Sequence, residues 1–499
     1  MVNRRKRANL IVCSTANFNH KNYVLHCPKF CQMKRIIITF LIIFSFCAAN
    51  ANITLPAVIG SNMVLQQKST VKLWGWGNPL EKVLVSTSWD NKTDSVIVPP
   101  EAGWQLNVQT PAAGGPYTIT IKGSNTIVLT NVLIGEVWVC SGQSNMEMSY
   151  GWGMPIMKED VPKAFNNNIH FFTVGKASSD YPQLDCKGQW SVCDSNTVKA
   201  FSAAAYYFGK SLSKNLNVPI GLINTSWGAT AAEVWTPESV VESDAVLKNA
   251  AAEIKPNPYC AIKPGSVYNT MIAPILNYPV AGAIWYQGES NTGTAATYNQ
   301  LFTAMIKSWR AAWNKELPFY YVQIAPFKYG NNHIGALLRE AQTQTMALSN
   351  TGMVVIHDLV TDTNDIHPKN KRDVGYRLAN WALAETYHQP GIVYKSPLYK
   401  SMSVNDGKMT ITFDNAEAGL TSKDKAITQL YIAGRNKVFY PAESNIDHDK
   451  LVVWSAQVKR PVAVRYGFTN TGIGNLFGAD GLPVNLFRTD NWQVDAAGK

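Results

Sequence analysis

A serine at the end of an apolar run is the first candidate for chemistry in this chain. The run Val132–Cys140 is rich in β-branched and aromatic residues and leads into Gly142-Gln143-Ser144. This pattern predicts a buried strand that delivers Ser144 to a sheet edge, where backbone N–H groups at a helix start can stabilise an oxyanion. Serine needs a base to act as a nucleophile. Asp365 and His367 supply a histidine with an acid beside it, so these residue types together predict a serine hydrolase.

Two further segments follow apolar runs and carry groups that such an enzyme uses. Gly228 follows the run Pro219–Ile223, and a glycine at this kind of turn lets its N–H point at a developing oxyanion. Gln287 and Glu289 follow the run Val280–Tyr286. The Gln287 amide can donate to the same oxyanion, and the Glu289 carboxylate can orient a histidine.

The elements that must position these groups lie in residues 131–394, where short apolar runs alternate with amphipathic helical stretches. This alternation predicts a parallel sheet covered by helices on both faces, an α/β fold whose sites form at the carboxyl ends of strands. The predicted strands are Ile169–Val174, Pro219–Ile223, Val280–Tyr286, Pro318–Ile324 and Met353–Ile356, and the predicted helices are Phe201–Leu216, Tyr298–Trp313, Ile334–Leu348 and Lys371–Tyr387. Because each candidate follows a different run, the fold can bring them together.

Shorter alternating runs broken by turns flank this region on both sides. They predict β-sandwich-like domains at residues 52–130 and 395–490. The clearest runs are Thr70–Gly77, Lys82–Ser86 and Tyr117–Ile121 in the first domain, and Met409–Phe413, Gln429–Ala433 and Leu451–Trp454 in the second.

Residues 1–51 have the pattern of a leader. A basic start at Met33-Lys34-Arg35, an apolar segment and a small-residue cleavage site at Ala49-Asn50-Ala51 predict a signal peptide over residues 33–51. We expect Met33 to be the true start, with residues 1–32 an over-extended reading frame. The apolar segment is too short to span a bilayer comfortably, and the bulky Phe46 before Cys47 disfavours a lipoprotein anchor. The mature protein is therefore expected to be exported to the periplasm or the cell exterior, without stable membrane insertion.

The charge and cysteine content exclude other classes. Eight of the 45 Lys and Arg residues lie in residues 1–51, which hold no acidic residue, so the mature chain is close to neutral at about +3. No clustered basic stripe favours nucleic acid. No His or Cys group has zinc spacing, so we expect no metal and no cofactor. Cys186 and Cys193 are close enough in sequence to form a small disulfide loop in an exported protein, and Cys140 is expected to be a buried free thiol.

These segments, taken together, match a known arrangement. The chain resembles the SGNH-hydrolase superfamily and, within it, the sialate O-acetylesterase-like carbohydrate esterases. The matching segments are Gly135-Glu136-Val137-Trp138, Gly142-Gln143-Ser144-Asn145-Met146-Glu147, Trp285-Tyr286-Gln287-Gly288-Glu289-Ser290-Asn291, Asp365-Ile366-His367-Pro368 with Asn370-Lys371, and the flanking Met63-Val64-Leu65-Gln66, Trp74-Gly75-Trp76 and Gly481-Leu482-Pro483. The resemblance covers nearly all of the mature chain.

The resemblance implies a role for each group. Ser144 would be the nucleophile and His367 the general base, and the N–H groups of Ser144 and Gly228 with the Gln287 amide would form the oxyanion hole. The superfamily commonly places its acid three residues before the histidine, where this chain has Asn364. The acid partner is therefore open between Asp365 and Glu289.

The implied substrate is an O-acetylated sugar, with O-acetylated sialic acid as the first expectation. An acetylxylan or other hemicellulose acetylesterase is the alternative within the enzyme class. A catalytically inactive carbohydrate-binding protein is the alternative outside it. Three residues near the expected site are candidates for substrate contact: Trp227, Trp235 and Arg339. The Arg339 guanidinium is of the kind that pairs with a sialate carboxylate.

Overall fold

The structure is a computed structural model that describes residues 52–330 and 333–494, so the predicted leader lies outside the described residues. The strands of the N-terminal and central regions are β1 (Val64–Gln66), β2 (Thr70–Trp76), β3 (Lys82–Thr87), β4 (Lys92–Ile97), β5 (Gly103–Gln109), β6 (Gly114–Lys122), β7 (Thr126–Gly142), β8 (Asn166–Thr173), β9 (Trp190–Cys193), β10 (Ile220–Ser226), β11 (Gly282–Tyr286), β12 (Phe319–Val322) and β13 (Thr351–Val354). Those of the C-terminal region are β14 (Leu398–Asn405), β15 (Lys408–Asp414), β16 (Leu420–Thr421), β17 (Leu430–Ala433), β18 (Phe439–Pro441), β19 (Glu443–Asp447), β20 (Lys450–Trp454), β21 (Ala463–Tyr466), β22 (Phe477–Gly478) and β23 (Phe487–Arg488). The α-helices are Ser144–Glu147, Thr197–Ala200, Ala203–Leu216, Glu238–Glu242, Ala245–Ala252, Ala295–Trp313, Ile334–Thr345 and Lys371–Trp381.

The predicted parallel sheet is present in the order β13-β12-β11-β7-β10-β8-β9. Every neighbouring pair is parallel except β8 and β9 at the edge, which are antiparallel. All residues of β10 and β11 are buried, as expected for strands covered on both faces. This arrangement confirms the predicted α/β class.

Helices cover both faces of the sheet, and each face has its own core. Val137 and Val139 of β7 pack into one cluster with the helices Ala295–Trp313 and Ile334–Thr345. Their neighbours Trp138 and Cys140 pack into a second cluster with Ala203–Leu216 and Lys371–Trp381. Because successive side chains of a strand point to opposite faces, one unbroken apolar run serves both cores.

The long strand β7 joins the N-terminal region to the central sheet. Its first half pairs antiparallel with β6, and its second half pairs parallel with β10 and β11. The boundary predicted after residue 130 therefore falls within a continuous strand. The C-terminal region forms antiparallel sheets in the orders β14-β15-β20-β19 and β18-β17-β21-β23, which enclose a third apolar cluster and confirm the β-sandwich-like prediction.

The predicted disulfide between Cys186 and Cys193 is wrong, because both residues are free thiols. Cys193 packs into the core on one face of the central sheet, whereas Cys186 packs against the core on the other face. The sheet therefore separates two thiols that are only seven positions apart. Cys140 is a buried free thiol, as predicted. Within the described ranges, no helix has the length and apolar character needed to cross a membrane.

Candidate active site

Ser144 and His367 meet at the carboxyl end of β7. Ser144 begins the short helix Ser144–Glu147, and its Oγ lies 3.0 Å from His367 Nε2. The turn before it depends on Gly142, which has a φ of +138°, and a Cβ there would lie 2.2 Å from the carbonyl oxygen of Tyr286. A glycine is therefore required for β7 to approach β11 and present the serine. The contact places a potential nucleophile within hydrogen-bond reach of a potential base.

Asp365 lies beside the His367 ring. Its Oδ1 is 3.7 Å from His367 Nδ1 and accepts the backbone N–H of His367 at 2.9 Å. Its Oδ2 is 2.9 Å from the Lys369 ammonium. At 3.7 Å the carboxylate stabilises the protonated form of the ring electrostatically, but the separation is too long for a hydrogen bond.

The surroundings of His367 favour its neutral form. Burial of the ring lowers its pKa below the usual value of 6.5, and the positive charge of Lys371 acts in the same direction, while Asp365 opposes both. A neutral imidazole at neutral pH is the form that can accept a proton from serine. The geometry and the protonation state are therefore consistent with a general base.

Glu289 belongs to a different group of side chains. Its Oε1 accepts a 2.6 Å hydrogen bond from Asn145 Nδ2, which also donates to the backbone oxygen of Ile366 at 3.1 Å. The Lys371 ammonium donates to Asn145 Oδ1 at 2.5 Å. This buried cluster of Asn145, Glu289 and Lys371 links the residue after Ser144 to the residue before His367. It brings Glu289 next to Asn145 rather than to the His367 ring.

Two ionisable groups of this cluster are buried, and burial shifts the pKa of both. It raises the pKa of Glu289 and lowers the pKa of Lys371 to about 7. The Lys371 ammonium also lies 4.8 Å from the centre of the Tyr286 ring, a distance at which the ring face attracts a cation. These contacts compensate part of the cost of taking two charges out of water.

Gly228 lies next to Ser144, as predicted. A Cβ at Gly228 would be 3.4 Å from Ser144 Cβ, and the preceding Trp227 N–H donates to the Gly142 carbonyl oxygen at 3.0 Å. The Gly228 N–H donates to Glu147 Oε2 at 2.7 Å, and Glu147 Oε1 lies 2.6 Å from the Lys176 ammonium. In this structure, therefore, a carboxylate accepts the hydrogen bond that an oxyanion would use.

The Gln287 side chain is buried within the loop that it was expected to project from. Its Nε2 donates to the Thr230 carbonyl oxygen at 3.2 Å and to Asn291 Oδ1 at 2.7 Å, and its Oε1 accepts from the Tyr298 hydroxyl at 2.9 Å. Both amide hydrogens therefore have partners within the protein. The contact with Thr230 holds the turn that carries Gly228, two residues earlier.

The three residues expected to contact substrate have different positions. Trp227 is half-buried, and its indole N–H donates to the Tyr259 carbonyl oxygen. Trp235 is fully buried in the core, and its indole N–H donates to the Thr230 hydroxyl. Only Trp227 of the three therefore has surface that a substrate can reach.

Arg339 is only 2% exposed. Its guanidinium donates to the backbone oxygens of Thr469 and Asn470, so it holds the C-terminal region against the helix Ile334–Thr345. The expectation that this side chain meets a sialate carboxylate does not fit its position, because its buried charge faces protein carbonyl groups.

Gln143, between Gly142 and Ser144, has a role that the sequence alone did not reveal. Its Oε1 accepts the backbone N–H groups of Gly288 and Ser290 at 3.3 Å. The side chain thus ties the serine turn to the loop that carries Glu289. A buried polar residue in a strand-end motif is the signal that would have pointed to it. Among the described residues, no group of His, Cys, Asp and Glu side chains has an arrangement that could hold a metal ion.

Comparisons with known proteins agree with this geometry. Residues 134–384 match the family model described as carbohydrate esterase, sialic acid-specific acetylesterase. The chain is 26% identical to the mouse sialate O-acetylesterase over 85% of this chain and 90% of that protein. It is 27% identical to the human one over 81% of this chain and 85% of that protein. A crystal structure of a carbohydrate acetylesterase from Xanthomonas citri superposes with a TM-score of 0.81 and 36% identity, covering 88% of this chain and all of that one.

Proposed function

The chain belongs to the carbohydrate esterase family of sialic acid-specific acetylesterases, and we propose that it releases acetate from O-acetylated sugars with Ser144 as the nucleophile. The observation that carries this proposal is the 3.0 Å contact between Ser144 Oγ and His367 Nε2 at the carboxyl end of the central sheet. This is the edge where parallel α/β sheets place their sites.

The proposed reaction has two halves. In the first, His367 Nε2 takes the Ser144 hydroxyl proton while Oγ attacks the acetyl carbonyl carbon, and the tetrahedral intermediate collapses to an acetyl-serine as His367 protonates the departing sugar oxygen. In the second, water gives a proton to His367 and attacks the acetyl-serine. Acetate leaves, and Ser144 recovers its proton. Asp365 stabilises the imidazolium that forms in both halves, from its position 3.7 Å from Nδ1.

The proposed oxyanion hole uses the N–H groups of Ser144 and Gly228. Ser144 is the first residue of its helix, so its N–H is among the donors that have no partner within a helix. The Gly228 N–H becomes available when Glu147 gives up its 2.7 Å hydrogen bond. The Gln287 amide, whose hydrogens face Thr230 and Asn291, supports the Gly228 turn and is not needed as a third donor.

O-acetylated sialic acid is the first proposed substrate, because the matching family model and the mammalian relatives carry that specificity in their descriptions. A cavity of about 490 Å³ adjoins the site and is lined by Ala229 and Ser290, the chain neighbours of Gly228 and Glu289. Its size suits a small ligand. Lys255 also lines this cavity and offers the sialate carboxylate a cation in place of the buried Arg339.

An acetylated hemicellulose is the second candidate. The structural match at 36% identity is to a protein described as a carbohydrate acetylesterase, a description that leaves the sugar open. A neutral sugar would have no use for Lys255. We also propose that the protein is exported, from the signal-peptide pattern in residues 33–51.

Acetate release from O-acetylated sialic acid and from acetylated xylan tests the proposal, with the wild type, Ser144→Ala and Lys255→Ala compared at equal concentration. We expect Ser144→Ala to lose release from every substrate. Lys255→Ala should raise KM for the sialic acid while leaving xylan unchanged. Acetate release that survives in Ser144→Ala would refute the mechanism, and a wild-type preference for xylan would select the second candidate.

A further inference from the structure

Trp152 differs from every other tryptophan of this chain. All 15 tryptophans lie in the described residues, and Trp152 is the most exposed of them, with 46% of its surface accessible. The other indoles are buried or half-buried. An exposed indole face gains nothing for the fold from its apolar surface, so a large accessible tryptophan beside a reaction centre points to a ligand.

The position of Trp152 is next to the proposed general base. Its ring centre lies 6.4 Å from that of His367, with the two planes at 82°, an edge-to-face arrangement. The residue ends the 3₁₀ turn Tyr150–Trp152, which follows closely after the helix of Ser144. The indole and the reacting groups are therefore delivered by one short stretch of chain.

The turn that carries Trp152 is held on both sides. Met148 before it and Met154 after it are buried in the core. Within the turn, the Trp152 N–H donates to the Ser149 carbonyl oxygen at 3.0 Å, and Gly153 ends the turn with a φ of +76°. The backbone that carries the exposed ring is thus held in place before any ligand arrives, which lowers the entropic cost of binding.

The chemistry of the reaction says which part of the substrate lies here. His367 must protonate the oxygen that leaves with the sugar, so the sugar ring lies on the His367 side of the acetyl group. A pyranose has apolar C–H faces, and a fixed indole is a suitable partner for such a face. Resting on the proposed function, we propose that Trp152 is the platform on which the sugar ring of the substrate stacks while Ser144 attacks its acetyl group.

The test compares two acetyl esters, O-acetylated sialic acid and ethyl acetate, which has the ester but no ring. For Trp152→Ala we expect kcat/KM on the sugar ester to fall roughly tenfold, the size expected when about 50 Å² of apolar contact is lost, mostly through KM. Ethyl acetate hydrolysis should stay within twofold, and Trp152→Phe should recover part of the loss. Phe165→Ala is the matched control, because Phe165 is 72% exposed. It directly precedes β8 and so lies at the amino ends of the parallel strands, away from the carboxyl ends that carry the site.

Each outcome separates this inference from the proposed function. If Trp152→Ala lowers kcat/KM equally for both esters, or shifts the pH dependence of ethyl acetate hydrolysis, the ring only positions His367 and the stacking inference is wrong. Unchanged sugar kinetics in Trp152→Ala would also overturn it. A failure of the proposed function would show instead as acetate release by Ser144→Ala, whatever the Trp152 variants do.

Discussion

The acid partner of His367 can be decided by replacing the two candidate carboxylates one at a time. Asp365→Asn removes a negative charge 3.7 Å from His367 Nδ1. Glu289→Gln removes the negative charge of a carboxylate that accepts a hydrogen bond from Asn145. Both changes keep the shape of the side chain and leave an oxygen that can accept a hydrogen bond. We expect Asp365→Asn to lower kcat and Glu289→Gln to leave it within a fewfold of the wild type.

The expected magnitude follows from the position of Asp365. Opposite charges about 4 Å apart attract by about 1 kcal/mol in bulk water and by about 4 kcal/mol near a protein surface. The Asp365 side chain is 37% exposed, so its stabilisation of an imidazolium lies towards the lower part of this range. A loss of about 1.4 to 2.7 kcal/mol corresponds to a 10- to 100-fold lower kcat. The loss is smaller than the ~10⁴-fold known for a buried, hydrogen-bonded triad acid, because Asp365 makes no hydrogen bond to the ring.

The pH dependence of kcat/KM gives a second, independent test of the acid partner. The negative charge of Asp365 raises the pKa of His367, so Asp365→Asn lowers that pKa. Because His367 must be neutral to act as the base, the acid limb of kcat/KM then moves to lower pH. Glu289 has no direct effect on the pKa of His367, but it raises the pKa of Lys371, whose positive charge lowers that of His367. Glu289→Gln therefore does not move the acid limb to lower pH, in contrast to Asp365→Asn.

The assay is acetate release from ethyl acetate between pH 4 and 9. Asp362→Asn serves as the control. Asp362 is an acid of the same loop, but its carboxylate accepts hydrogen bonds from Asn364 and not from the His367 ring. We expect the control to behave as the wild type. The reasoning would be refuted if Glu289→Gln lost more activity than Asp365→Asn and also moved the acid limb to lower pH.

Three further predictions concern residues that hold the site. Burial lowers the pKa of Lys371 to about 7, below its unfolded value near 10.4, so the unfolded state binds more protons between these pH values and stability rises with pH across them. Lys371→Met should reduce that rise, measured by urea unfolding at pH 7 and 9, and an unchanged rise would contradict it. Arg339→Met should lower the free energy of unfolding by about 1 to 3 kcal/mol, because buried carbonyl oxygens lose their donor, without changing KM for sialate esters; a selective increase in KM would return Arg339 to the substrate site. Gly142→Ala should yield little folded enzyme in expression and circular dichroism tests, because its Cβ would overlap the Tyr286 carbonyl oxygen, and a fully active variant would show that the turn can relax.

The fold was predictable because its signals are local. Apolar runs of strand length separated by amphipathic stretches are visible in the sequence, and each predicted central strand overlaps an observed one. The last helix was predicted to run to Tyr387. Its α-helical part ends at Trp381, and the chain continues as a π-helical turn over Ala382–Thr386. The pairing of Ser144 with His367 was also predictable, because strand order places both at one edge.

The orientation of polar side chains was not predictable in the same way. Arg339 lies on an amphipathic helix, where a small rotation separates a solvent-facing position from a buried one. The position of Arg339 is decided by the loop between β21 and β22, whose carbonyl groups at residues 469 and 470 accept hydrogen bonds from its guanidinium. Gln287 shows the same limit, because its amide can turn towards the substrate or back into its own loop, and Asn291 and Tyr298 satisfy it there.

Glu289 shows why sequence proximity and chemical type were insufficient to choose the acid. A carboxylate from a neighbouring strand end can reach a catalytic histidine, and nothing in the sequence opposes it. In the structure, Asn145 donates to Glu289 and to the backbone oxygen of Ile366, while Lys371 supplies the opposite charge. Moving Glu289 to the ring would break its hydrogen bond with Asn145 and take a negative charge away from the buried Lys371, whose pKa that charge raises. The more exposed Asp365 accepts the His367 backbone N–H, pairs with Lys369 and lies 3.7 Å from the ring. We therefore expect Asp365, and not Glu289, to stabilise the imidazolium.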